Sequence, residues 1–270
     1  MSSYELKGKH VLITGAASGI GSELSRCFAG EGSHCILCSH PSEAQKLMNF
    51  SEELRNTYNV NTWSFAEDLA EEEGPDKLYN EVKARIPVID VLVNNAGLMV
   101  YGDFNKADIN RQIRLVHVNI RALMTLMYLF LKDVTARGEG RILNISSVSA
   151  FQPTVHHAVY GASKAFVQSL SEAVNEEVRR SGVRVCTLNP SYTNTPLIKG
   201  GDFPERLWWY SISGLNDPAV IAQEGIRALK KGKSVHIPGL RNKIIHILLP
   251  RLSARKITNL LSYYVLKSRK

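Results

Sequence analysis

Short apolar runs alternate along the chain with longer stretches in which apolar side chains recur every three or four residues. His10 to Thr14 is the first run, and Gly15 follows it. That pattern predicts a buried strand. Ile20, Leu24 and Phe28 then share one face of a predicted helix over 19–31, and Gly30 and Gly32 end it. Further strands are predicted at 34–39, 61–66, 88–93, 141–145, 183–188 and 234–237. Pro41 opens a second helix at a favoured early position. Long helices are predicted over about 104–136 and 156–180, and another from Asp217-Pro218 toward Lys230. Strand–helix alternation with apolar strands predicts an α/β fold with a parallel sheet of about seven strands and helices on both faces. No repeat, low-complexity tract or linker divides the chain, so one doubly wound domain is expected.

Composition narrows the class. At 270 residues and 44% hydrophobic content the chain has ample apolar surface for a folded core. No unbroken run of about 18 apolar residues occurs. Four cysteines are too few for a disulfide scaffold of this length. With no apolar signal core ahead of His10, a cytoplasmic, reduced protein is expected.

Charge is uneven. The net charge is +8, yet residues 225–270 hold twelve Lys or Arg and no acid. The first 224 residues therefore hold 21 basic against 25 acidic side chains. In the tail, Ile257, Leu260, Leu261, Tyr264 and Val265 fall on one helical face with cations around it. We expect a domain over 1–240 and a basic amphipathic extension over 241–270. That extension either lies against a membrane surface or packs on the protein's own body or a second subunit.

Candidate chemistry gathers at strand ends. Thr14-Gly15-Ala16-Ala17-Ser18-Gly19-Ile20-Gly21 joins the first strand to the first helix. Glycines at a helix N-terminus let a pyrophosphate approach backbone N–H groups, although a tight connection would use them too. The second strand ends in Ser39-His40 with no carboxylate. An acid there would bind a ribose 2′-hydroxyl; its absence favours NADP(H) over NAD(H). Asp68, after the third strand, meets the adenine edge or caps the next helix. Tyr160 and Lys164 lie one turn apart on a helix, where the ammonium is expected to draw the phenol toward neutrality as a general acid or base. Ser147 follows the fifth strand, Asn94-Asn95-Ala96-Gly97 the fourth. Asn119 is unfavourable inside a helix and is expected to satisfy backbone or hold water.

TGAASGIG, NNAG, Asn119, Ser147 and Tyr160-Gly-Ala-Ser-Lys164, in this order, resemble the classical short-chain dehydrogenase/reductase family over about residues 6–240. The resemblance implies a Rossmann-like fold and an oxidoreductase interconverting a ketone or aldehyde and an alcohol. It implies Tyr160 as proton donor, Ser147 orienting the carbonyl, Lys164 holding the nicotinamide ribose and Asn119 positioning a relay water. Cofactor contacts are implied or expected at Gly15, Ser18, Gly19, Ile20, Gly21, Ser39, His40, Asp68, Asn95, Tyr160, Lys164, Pro190, Thr193 and Thr195. The loop after the sixth strand departs from the family: Pro190-Ser191 replaces the usual Pro-Gly, and Thr193 stands where Val is common. The long tail is similar to that of members of broad or unknown substrate range, some of which handle lipid-like ketones. An apolar small-molecule carbonyl or alcohol substrate, a homodimer or homotetramer, no metal and no nucleic-acid partner are expected. The alternative is a nucleotide-binding scaffold of the same fold without turnover.

Three further signals have bland readings. Cys35-x-x-Cys38 lies on a strand at an odd offset, so its thiols point to opposite faces and are structural. One of His156 and His157 lines the substrate mouth or merely occupies a first helical turn. Trp208-Trp209-Tyr210 forms an aromatic lid or packs on the body.

Overall fold

The computed structural model describes residues 3–199, 203–204 and 214–245. Seven strands form one parallel sheet: β1 (His10–Thr14), β2 (His34–Ser39), β3 (Thr62–Ala66), β4 (Val91–Asn94), β5 (Gly140–Ile145), β6 (Val183–Leu188) and β7 (Val235–His236). Their order is β3-β2-β1-β4-β5-β6-β7. The order reverses direction between β1 and β4, which places a ligand crevice at the C-terminal ends of those strands.

Alternate strand residues feed two cores. Val11, Ile13, Cys35 and Leu37 pack with helices α1 (Gly19–Gly30), α2 (Ala44–Tyr58) and α8 (Pro218–Lys230). Leu12, Ile36 and Cys38 pack on the other face, against α3 (Gly74–Arg85), α5 (Leu123–Arg137) and α6 (Ala158–Val178). Cys35 and Cys38 therefore sit in different cores as free thiols, and burial pushes each up to about 12. Short helical turns α7 (Pro196–Lys199) and α9 (Leu240–Lys243) complete the described elements.

Several boundaries differ from the sequence reading. The fourth strand begins at Val91 rather than Val88, because residues 86–90 carry the chain from α3 up to the sheet. The long helix begins with α4 (Ile109–Val116), where Asp108 Oδ1 accepts from the Asn110 N–H at 2.9 Å. Residues 104–108 are therefore loop and cap. Residues His117–Ala122, between α4 and α5, are wound as a π-helix. Pro41 opens a 3-10 turn, Pro41–Glu43, and His40 is its N-cap. Helix α3 has no counterpart in the sequence reading: Pro75, Leu78, Tyr79 and Val82 are its buried side chains, too few for a clear period. The helix spanning Ile109–Arg137 is long and apolar enough to cross a membrane. Leu123, Leu126, Met127, Phe130 and Val134 are buried against the sheet, so it is a core helix. The tail helix expected over 257–265 and the aromatic triplet at 208–210 lie outside the described residues.

Candidate active site

The loop after β1 is locked to the end of β4. Gly15 has φ +64°, in the left-handed region, and a Cβ there would come within 2.9 Å of the Ala96 Cα. Asn95 Nδ2 donates to the Thr14 and Gly15 carbonyls at 3.0 Å each. The Asn95 and Ala96 N–H groups donate to Thr14 Oγ1 at 3.1 and 3.0 Å. Thr14 is thus a positioning residue that the sequence reading passed over. Ser18 is the N-cap of α1, in extended conformation and with no side-chain bond to the first turn. The first N–H groups of α1 are left to be met by another acceptor.

A second assembly sits beyond β5. Ser146 Oγ donates to the Lys164 carbonyl at 2.9 Å, tying the strand end to α6. A Cβ at Gly161 would stand 2.0 Å from Thr154 Oγ1, so only glycine lets the loop after Ser147 close over α6. Ser147 and Tyr160 are thereby brought within hydrogen-bonding reach. Burial pushes the Tyr160 phenol up to about 12, with the Ser147 hydroxyl pulling it down. Tyr160 therefore keeps its proton at neutral pH. Burial pushes the Lys164 ammonium down to about 8. Its Nζ donates to the Ile145 carbonyl at 2.8 Å and lies 5.6 Å from the Tyr160 ring centroid. Burial therefore dominates both groups, and the dry surroundings oppose a charge on either.

These assemblies line one cleft of about 710 Å³ at the C-terminal edge of the sheet. Gly15, Ser18, Gly19, Ile20 and Asn95 line it near the β1–β4 crevice, with Ser39, His40 and Asp68 at the ends of β2 and β3. Ser147, Tyr160, Lys164, Pro190, Thr193 and Thr195 line it beyond β5 and β6. A Cβ on Gly19 would press within 3.2 Å of Thr195, so the glycine lets the two sides approach closely at this point.

Two residues singled out in the sequence stand behind the cleft wall. A Cβ on Gly21 would lie 2.1 Å from the Gly15 carbonyl oxygen, so this glycine serves packing. Asn119, in the π-helical segment, accepts from the Leu98 N–H at 2.8 Å and donates to the Leu98 carbonyl at 3.0 Å. It also donates to Ser163 Oγ at 3.1 Å. It satisfies backbone, one of the two jobs expected of it. Asp68 caps locally: its Oδ1 accepts from the Ala70 N–H at 2.9 Å. Its burial raises the pKa, but this bond and Arg114, at 2.5 Å from Oδ2, hold the carboxyl below its ordinary value. Arg111 and Arg114 of α4 also line the cleft, and no local signal in the sequence ties them to it.

Of the two histidines, His157 lines the cleft. Burial pushes it down to about 4, so it is neutral. Its ring lies 6.0 Å from Tyr160, 6.3 Å from Tyr101 and 6.1 Å from Phe203. Met99, Tyr192, Leu197 and Ile198 continue this apolar wall. His156 adopts φ +63°, with Nδ1 3.0 Å from Asp103 Oδ1.

The glycine-cradled helix N-terminus, the Lys164 head and the width of the cleft fit a nicotinamide dinucleotide. Residues 9–202 match the family model for short chain dehydrogenases. An uncharacterized oxidoreductase of Staphylococcus saprophyticus is 29% identical over 233 residues, covering 86% of this chain and 96% of that protein. The 17-beta-hydroxysteroid dehydrogenase type 3 of Rattus norvegicus is 34% identical over 195 residues, 71% of this chain and 62% of that one. Among solved structures, a short-chain dehydrogenase from Sphingobium yanoikuyae in complex with NADPH superposes with a TM-score of 0.79 at 25% identity, covering 97% of this chain and 98% of that one. The chain belongs to the short-chain dehydrogenase family and is an NAD(P)-dependent oxidoreductase acting on CH–OH donors.

Proposed function

We propose that the protein reduces an apolar ketone or aldehyde with NADPH, or oxidises the matching alcohol with NADP⁺. The observation that carries this reading is the meeting of Ser147, Tyr160 and Lys164 in the cleft that also holds the glycine loop. The cofactor, when bound, supplies the hydride. Tyr160 protonates the carbonyl oxygen, and burial keeps its phenol in the protonated form that can donate. Ser147 donates to the same oxygen and orients it. Lys164, already aimed along the cleft from α6, takes the ribose hydroxyls. Asn119 holds the Leu98 backbone in place beneath the reacting groups, and a water between it and Lys164 completes the proton path. Gly97 faces both groups: a Cβ there would stand 3.4 Å from Asn119 Oδ1 and 3.6 Å from Lys164 Nζ.

NADP(H) rather than NAD(H) is supported by the missing carboxylate at the end of β2 and by the nearby Arg111, Arg114 and His40. An apolar substrate is supported by the wall of Met99, Tyr192, Leu197 and Ile198 around His157. The test is an assay of the purified protein with NADPH and NADH over a panel of ketones from small and polar to bulky and alicyclic. Higher kcat/KM with NADPH and with the bulky apolar members supports the reading. A preference for NADH, or for small polar carbonyls, contradicts it.

A further inference from the structure

We infer that Arg114 is the residue that selects the 2′-phosphate of the cofactor, and that Asp68 positions it for this task; the inference rests on the NADP(H) reading above. Three side chains from separate elements meet at the adenosine end of the cleft. Arg114 comes from α4, Asp68 from the end of β3 and His40 from the end of β2. Arg114 Nη2 lies 2.5 Å from Asp68 Oδ2 and 3.3 Å from His40 Nε2. His40 Nε2 lies 3.3 Å from the same Asp68 oxygen.

The bonding around this triangle fixes each member's role. Both Asp68 oxygens have partners: Oδ1 takes the Ala70 N–H, and Oδ2 takes Arg114. Asp68 is therefore a fixed anchor for the guanidinium. His40 Nδ1 accepts from the Ser42 N–H at 3.2 Å, which leaves Nε2 as the ring nitrogen directed at Asp68. The other acids lining this end are paired elsewhere, Glu43 with Lys46 at 3.2 Å and Glu67 with Lys77 at 2.7 Å. Arg114 presents a planar fork of five N–H donors, and the bond to Asp68 uses one edge of it. The remaining donors can bind phosphate oxygens, and its side chain is 41% exposed. Arg111, one turn earlier on α4, lines the same wall and adds positive charge. Ser39, buried at the strand end, offers a phosphate no repulsion.

The alternative role for Arg114 is a strut that joins α4 to the loop after β3. Dissociation constants for NADPH and NADH, measured by nicotinamide fluorescence, separate the two roles. They require no substrate. In Arg114→Leu, NADPH should weaken by about 10- to 100-fold, the range for losing charge-assisted bonds to a phosphate. NADH should change less than about threefold. Arg114→Lys should recover only part of the NADPH affinity, because an ammonium keeps the charge and loses the fork. Asp68→Asn, which loosens the anchor, should weaken NADPH severalfold. A wild type that binds NADPH more tightly, paired with an Arg114→Leu variant that keeps that preference, overturns this inference alone. Equal weakening of both cofactors also overturns it, since it would place Arg114 on a part they share. A wild type that binds NADPH no tighter than NADH overturns the cofactor reading itself.

Discussion

Lys164 is a charged side chain buried at 5% exposure, and its Nζ donates to the Ile145 carbonyl. Its pKa falls from about 10.5 to about 8, so between those values the folded chain binds fewer protons than the unfolded one. Stability therefore rises with pH across that window, and below about 8 the full burial cost is present. Lys164→Met should stabilise the protein at pH 7 by up to about 3 kcal/mol. The gain should shrink toward zero by pH 10.5, while turnover is lost. Thermal unfolding of both proteins across that range checks this; a destabilised variant at pH 7 would contradict it. The Tyr160–Lys164 pairing was legible in the sequence because one helical turn fixes it. The electrostatic consequence was not, since it depends on how dry the surroundings are. Arg114 was invisible for another reason: its partners Asp68 and His40 lie 46 and 74 residues away, and no local period encodes such a meeting.

Among the elements, the strands were the most legible, and β1, β2 and β6 fall where their apolar runs place them. Each is buried on both faces, so the run and the strand coincide. Helix α3 escaped because its polar residues outnumber its few buried contacts, and its Gly74-Pro75 start resembles a turn. The π-helical turn at His117–Ala122 left no signature beyond Asn119 itself. That turn brings the amide of Asn119 to both backbone groups of Leu98. Asn119→Ala should leave those two groups without their amide partner and cost about 1–2 kcal/mol. A fall of several degrees in melting temperature would be its mark. A variant as stable as wild type would show that the amide does not hold the Leu98 loop.

At the scale of the molecule, helices α4, α5 and α6 expose Ile109, Ile113, Met124, Tyr128 and Phe166. We propose that a second copy of the chain covers them. Light scattering should give a dimer or tetramer, and Tyr128→Glu should shift it toward monomer; monomer alone at micromolar concentration would refute this. The sheet order, the glycine loop and the Ser147–Tyr160–Lys164 group all open on one edge, where the proposed chemistry takes place. The most direct test of that chemistry is NADPH consumption, with alcohol formation, on a bulky apolar ketone by wild type and Tyr160→Phe side by side. Wild type should turn the ketone over, and Tyr160→Phe should lose about 10²-fold or more with NADPH binding retained. A Tyr160→Phe protein that turns over at near wild-type rate would contradict it.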